Sequence, residues 1–179
     1  MNDQMIDIDS MLNHKLFYDY DTCYEEDYGI LGMGIKDERY LFEKKVVRMR
    51  DVDFLVHGEL SRYDNIICNG QEIAIHNNGY SRMVFLGFNE FGNYEDVFRL
   101  IDISKNIIER KVFFNGFTQV IEGLYECELD SRCTVADTLL ANGYISVNIY
   151  ISEIEISRDI IKLILPVNPE LHILAISLC

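Results

Sequence analysis

The chain has 179 residues, 49% of them apolar, and thirty acidic against sixteen basic side chains leave a formal charge of −14. A chain of this length buries roughly 70% of its unfolded surface, so one domain spanning residues 1–179 is expected, with no need of disorder. An anionic surface repels phosphate backbones and acidic lipid, which argues against nucleic-acid and membrane-surface roles.

The opening MNDQMIDIDS has neither a basic region nor an apolar run, so no secretory leader is expected and a cytoplasmic location is. No apolar stretch approaches the length of a membrane span. Cys23, Cys68, Cys127, Cys133 and Cys179 form an odd set without CxxC spacing, which predicts reduced thiols rather than a disulfide framework or a zinc site.

The first strand pattern is at 15–20. The acidic residues that follow, Asp19, Asp21, Glu25, Glu26 and Asp27, lack the spacing and terminal Glu of a calcium loop and read as a solvated loop. Gly29, Gly32 and Gly34 read likewise as loop, because no strand-to-helix context surrounds them. Short strands are predicted at 46–49, 52–56, 65–68 and 72–75. Longer ones follow at 82–88, 96–103, 107–114, 144–156, 160–165 and 171–178. Asn69-Gly70, Asn77-Asn78-Gly79, Asn115-Gly116 and Asn142-Gly143 punctuate them, and Asn-Gly favours the positive φ of tight turns. Residues 135–141 are the one helical segment predicted, with Thr134 as N-cap and Gly143 near the end.

Within this series, 96–103 and 107–114 form a predicted hairpin around Ser104-Lys105-Asn106. In 144–156 the apolar residues Ile145, Val147, Ile149 and Ile151 hold one phase, which then moves to Ile154 and Ile156. A period-two strand changes phase at an extra residue, so a bulge is predicted near Ser152-Glu153. The opposite face carries Tyr144, Ser146, Asn148 and Tyr150. It is either a solvated outer face or the floor of a shallow sugar groove, with rings stacking on Tyr and hydroxyls bonding to Asn and Ser.

The C-terminal IIKLILPVNPELHILAISL contains the only two prolines, which forbid one helix through it. Two buried strands joined by a tight corner are expected. The last is apolar on both faces, with Leu171, Ile173 and Ala175 on one and Leu174, Ile176 and Leu178 on the other. Many short strands with regular turns define an all-β, antiparallel sandwich or barrel.

Three stretches carry a resemblance: Asp64-Asn65-Ile66-Ile67 through Gly70-Gln71-Glu72-Ile73 to Gly79–Gly87, then Val147–Ile154, then Leu165–Leu178. In this order they resemble the bacterial jelly-roll modules found beside glycoside hydrolases, related to carbohydrate-binding modules of the galactose-binding-like class. The resemblance implies a two-sheet jelly roll with first and last strands close together, and a non-catalytic, glycan-binding role. Modules of this class often hold a structural calcium. Asp7, Asp9 and Asp102 match such ligands by type alone, and no metal or other cofactor is assigned.

No nucleophile elbow, zinc-protease motif or phosphate loop occurs, and no catalytic residue is assigned. Glu153 and Glu155 read as a solvated strand edge, and His172 as a core or edge histidine satisfied by its neighbours. The binding candidates are aromatic residues near loops: Tyr63, Phe88, Phe91 and Tyr94, with Asn89 and Glu90 as polar partners, joined by Tyr144, Asn148 and Tyr150 of the groove. Phe88 and Phe91 as plugs of the open core end are the alternative. The expected function is weak binding of a neutral or cationic glycan. The rival is a structural or interaction protein whose exposed sheet face makes a homodimer or docks on an assembly.

Overall fold

The computed structural model describes residues 3–18, 35–36, 45–57, 62–90, 92, 94–116, 132–133, 145–146 and 149–179. The acidic and glycine-rich loops, the predicted helical segment, Phe91, Tyr144 and Asn148 lie outside the described residues.

In chain order the strands are β1 (Gln4–Ile6), β2 (Phe17–Tyr18), β3 (Ile35–Lys36), β4 (Lys45–Met49), β5 (Val52–Val56), β6 (Ile66–Asn69), β7 (Glu72–Ala74) and β8 (Arg82–Asn89). They continue as β9 (Tyr94–Asp102), β10 (Ile107–Phe114), β11 (Arg132–Cys133), β12 (Ile145–Ser146), β13 (Tyr150–Glu155), β14 (Ile160–Ile164) and β15 (Val167–Leu178). The chain is all-β apart from a 3-10 turn at Asp9–Met11, among the described residues. One antiparallel sheet runs β1-β15-β8-β13, with β6 sharing the edge of β15 that β1 occupies. A second runs β10-β9-β14-β7. Neither closes into a barrel.

The two sheets pack on one apolar cluster. Met83, Phe85, Ile173 and Ile176 come from the first and Phe98, Leu100, Val112 and Leu163 from the second. The arrangement is sandwich-like, and the first strand lies beside the last through Gln4↔Leu178 and Ile6↔Ile176.

A third layer explains the two-sided apolarity of the last strand. The β4–β5 hairpin lies over the outer face of the first sheet, where Phe54 and Val56 join Val84, Leu86, Phe88, Leu174 and Ala175 in a second buried cluster. Each buried apolar side chain contributes about 1.5–3 kcal/mol, so a central strand with two covered faces anchors both layers.

The predicted faces of β15 change in one respect. Leu171 and Ile173 share a cluster with Ile176 and Leu178, not with Ala175, because the pairing with β8 shifts register between Ile173 and Ala175. Leu174 is the extra residue, and past it the strand alternates in the opposite phase. Gly87 lies opposite Ile173, and a Cβ there would stand 2.2 Å from the His172 carbonyl oxygen, so only glycine admits this close approach.

The bulge expected near Ser152-Glu153 is absent: β13 pairs regularly with β8 from Tyr150↔Gly87 to Glu155↔Arg82. Its apolar phase moves because Ile149 and Ile151 enter the outer cluster, whereas Ile154 and Ile156 enter the inter-sheet one. Two cores, one on each face, mimic a bulge in the sequence pattern. The predicted strand at 144–156 is also divided, since Ile145–Ser146 pairs with Arg132–Cys133.

The expected β9–β10 hairpin forms, paired from Ile101↔Ile107 through Tyr94↔Phe114. Lys105 turns it at φ 68°, and the Asp102 carboxylate accepts the backbone and side-chain N–H of Asn106, both at 2.8 Å. The C-terminal corner passes the chain between sheets, from β14 in the second to β15 in the first. It is tighter than expected, because Val167, Asn168 and Pro169 already belong to β15. Pro169 is tolerated where the β15–β6 register shifts, between Asn168 and His172. Asn69-Gly70 also joins strands of different sheets, so this Asn-Gly pair marks a crossing rather than a hairpin.

Candidate functional site

Two polar regions stand out, one closed and one open. The closed one lies below the loop candidates. His14, Asp64, Asn65, Asn89, Glu90 and His172 are all buried there. The bridge between His14 and Asn65 brings the N-terminal segment to the start of β6, and Asn65 then faces β15.

Hydrogen-bond chemistry orients the cluster. The Asn65 amide donates through Nδ2 to the Asp64 carboxylate at 2.7 Å and to the His14 carbonyl at 3.2 Å. A carboxylate only accepts, so Oδ1 is the atom turned to His172 Nδ1, 2.9 Å away, and that ring nitrogen is the donor. The other ring nitrogen, Nε2, meets Glu90 Oε1 at 3.0 Å. The imidazole is therefore held at both ends, and Phe88 stacks on its face at 4.9 Å and 7°. Asp64 also accepts the Leu16 backbone N–H and pairs with Lys15 at 3.3 Å, the lysine side chain being only 11% exposed. His14 sits edge-on to His172, and burial followed by the charge of that neighbour pushes its pKa down from 6.5 to about 4.

These bonds place several predicted binding residues in a structural setting. Phe88 is a core side chain, 1% exposed. Asn89 donates to the Phe114 carbonyl, and its backbone N–H to that of Asn115. The Glu90 backbone N–H reaches the Glu170 carbonyl. Tyr94 and Tyr63 differ: Tyr94 is exposed, and Tyr63 is half-buried under the Arg62 guanidinium, 5.2 Å from the ring centre.

The open region is the seam where the edge strands β10 and β13 of the two sheets meet. Three side chains cross it in antiparallel order. Arg110 Nε donates to the Glu155 carbonyl at 3.4 Å, Ser152 Oγ to that of Phe113, and Tyr150 Oη to that of Gly116 at 3.4 Å. Side chains thus stand in for the main-chain bonds that would otherwise join the edges.

A cleft of about 210 Å³ opens along this seam. Lys111, Val112, Phe113 and Asn115 line one side, and Tyr150, Ile151, Ser152 and Glu153 the other. Its rim charges are internally paired, Lys111 with Glu95, and Glu153 with Arg82 at 2.9 Å. Asn115 is 3% exposed, and its side-chain oxygen is buried without a hydrogen-bond partner. A buried acceptor left unanswered costs about 1–3 kcal/mol, and among the described residues no group answers this one. No protein-family model matches the chain, and no curated protein matches its sequence. The cleft therefore has to be read from its own chemistry.

Of the predicted binding residues, Tyr150 alone lines the cleft among those described. Asn115 and Ser152 were not singled out as binding residues. Asn115 reads in the sequence as half of an Asn-Gly turn, and Ser152 shares the alternation of Ser146 and Tyr150 one step further along. Elsewhere, Asp7 and Asp9 approach His57, with ligand-type atoms within 4.8 Å of one another and Asp9 Oδ1 2.9 Å from His57 Nδ1. Asp102 is engaged in its hairpin turn instead. Among the described residues, no helix is long and apolar enough to cross a membrane.

Proposed function

We propose that this protein is a non-catalytic jelly-roll binding module that takes a carbohydrate weakly in the cleft between β10 and β13. The observation that carries the reading is a small, largely apolar cleft lined by Tyr150, Ser152 and Asn115, a residue whose amide oxygen is buried without a hydrogen-bond partner among the described residues. Small-ligand sites combine such apolar walls with a few fixed polar groups. The volume of about 210 Å³ suits a single sugar ring better than a long chain. The adjacency of β1 and β15 and the two facing antiparallel sheets agree with the jelly-roll resemblance. Tyr63 and Tyr94 are available as further stacking surfaces at the loop end.

A glycan array followed by calorimetry tests the proposal. A hit with Kd on the order of 0.1–1 mM, about −4 to −5.5 kcal/mol, lost in Asn115→Ala without a lowered melting temperature, is expected. Silence across plant, host and bacterial glycans would overturn it.

A second reading, a structural or interaction protein, draws on the outer face of the second sheet. Val97 and Ile107 are exposed there, 39% and 63%, amid the Arg99–Glu109, Lys111–Glu95 and Lys162–Glu72 ion pairs. Dimerisation at micromolar concentration that Ile107→Lys abolishes would favour it over the sugar site.

A further inference from the structure

Resting on the second reading, that the outer face of the second sheet is an interaction surface, we infer that its occupant is a second copy of this chain. The two copies dock hairpin on hairpin through β9 and β10, about a two-fold axis that runs along the strands. Four of the six large apolar side chains exposed among the described residues, Tyr94, Val97, Ile103 and Ile107, belong to this hairpin. Phe98, Leu100, Val112 and Phe114 point into the inter-sheet core, so alternation turns the residues between them outward. The outward charges are Glu95, Arg99, Glu109 and Lys111, two acids and two bases that cancel, on a chain whose net charge is −14. Two such chains repel one another least where their surface is locally neutral, whereas a basic partner is drawn to the acidic surface instead.

Register decides the fit. Ile101 lies opposite Ile107, and Arg99 lies opposite Glu109 with the two side chains 3.2 Å apart. A two-fold axis along the hairpin sets each residue against the cross-strand neighbour of its own counterpart. Arg99 of each copy then meets Glu109 of the other, and Ile101 of each meets Ile107. The existing ion pair becomes a group of four alternating charges beside four isoleucines. The other two rows, Val97 with Lys111 and Glu95 with Phe113, bring no like charges together either. An isologous contact needs this self-complementarity, and a row of two acids or two bases would break it. Packed sheets keep their strands within about 30° of each other, so these short rows stay opposed.

Sedimentation velocity of the whole protein over about 5–200 μM tests this, with a dimer in the weak, transient class expected. Arg99→Glu sets acid against acid twice across the axis, and Glu109→Arg sets base against base. Each should weaken the dimer at least about tenfold. Arg99→Glu combined with Glu109→Arg restores every opposed pair and should dimerise like the parent. Mixing the two single variants should give a heterodimer, since one copy then brings two acids and the other two bases. Val46→Glu, an acid added at an exposed apolar position of the β4–β5 hairpin, should leave the dimer intact.

A protein that stays monomeric across the range overturns the inference and leaves the second reading only a different partner. A dimer indifferent to both single variants meets through another face, which overturns the inference while an interaction role stands. Failure of both the double variant and the mixture to restore the dimer overturns the two-fold arrangement. Should the single variants unfold, amide hydrogen exchange of the parent at the two ends of the concentration range takes their place. Slower exchange on β9 and β10 at high concentration is expected, and slower exchange elsewhere alone overturns the proposal.

Discussion

Two buried asparagines sit in the same fold with opposite hydrogen-bond balances. Asn65 is surrounded: its amide nitrogen serves Asp64 and His14, and its oxygen takes the His172 ring proton. Asn115, a residue of the cleft wall, has a buried oxygen with no partner among the described residues. Burial alone does not tell the two apart. Satisfied polar burial joins distant segments into one rigid unit, whereas unanswered polar burial leaves free energy for a ligand to recover.

The sharpest way to break this comparison is to make the same substitution at both sites. Asn65→Leu should destabilise by about 3–5 kcal/mol, because it leaves Asp64 and the His172 ring without their partner inside the core. Urea unfolding would read the loss as a lowered midpoint. A change under about 1 kcal/mol would show the network to be dispensable.

Acid is the next largest probe, acting on the closed region through His14. His14 in the folded protein has its pKa lowered from 6.5 to about 4, so between these values the unfolded chain binds more protons than the native one. Stability should therefore fall as pH drops from about 6.5 to 4, by about 3 kcal/mol in all. His14→Gln should flatten the profile in that window, read by denaturant midpoints at half-unit steps of pH. An unchanged slope in the variant would assign the acid sensitivity elsewhere.

At the open region the signs reverse. Asn115→Leu should raise stability by about 1–2 kcal/mol, since it removes an unsatisfied acceptor, while removing ligand binding. A destabilised variant would mean that the oxygen is satisfied in solution. Smallest is Ser152→Ala, which deletes one cross-seam rung and should cost about 1 kcal/mol while widening the cleft. Calorimetric melting of the variant against the parent would resolve it.

Much of the local structure was legible from residue pattern. Alternation located β8, β9, β10 and β14 closely, because period two is a local property of a half-buried strand. Asn69-Gly70 and Asn78-Gly79 located turns, because positive φ is a local demand on the backbone that Gly70 and Gly79 meet. Asn115-Gly116 instead ends in a bridge to Asn89, and Asn142-Gly143 lies outside the described residues. The short β1 strand escaped notice: Gln4–Ile6 has too few residues to show a period, and its pairing with β15 is a contact between opposite ends of the chain.

The closed cluster could not be assembled from sequence, since His14, Asn65, Glu90 and His172 are scattered along the chain and meet only when β6, β8 and β15 align. The seam was equally hidden. Arg110, Ser152 and Tyr150 each bond to a carbonyl of a strand that pattern alone does not place beside them.

What the sequence determined by itself is an all-β chain with a last strand covered on both faces and a net charge of −14. These follow from side-chain alternation, turn chemistry and composition, which need no knowledge of neighbours. Tertiary structure decided that the second cover is the β4–β5 hairpin, that one buried asparagine is saturated, and that another faces a cleft. Hydrogen-bond satisfaction is a property of pairs, and pairs across many residues exist only after the sheets have packed.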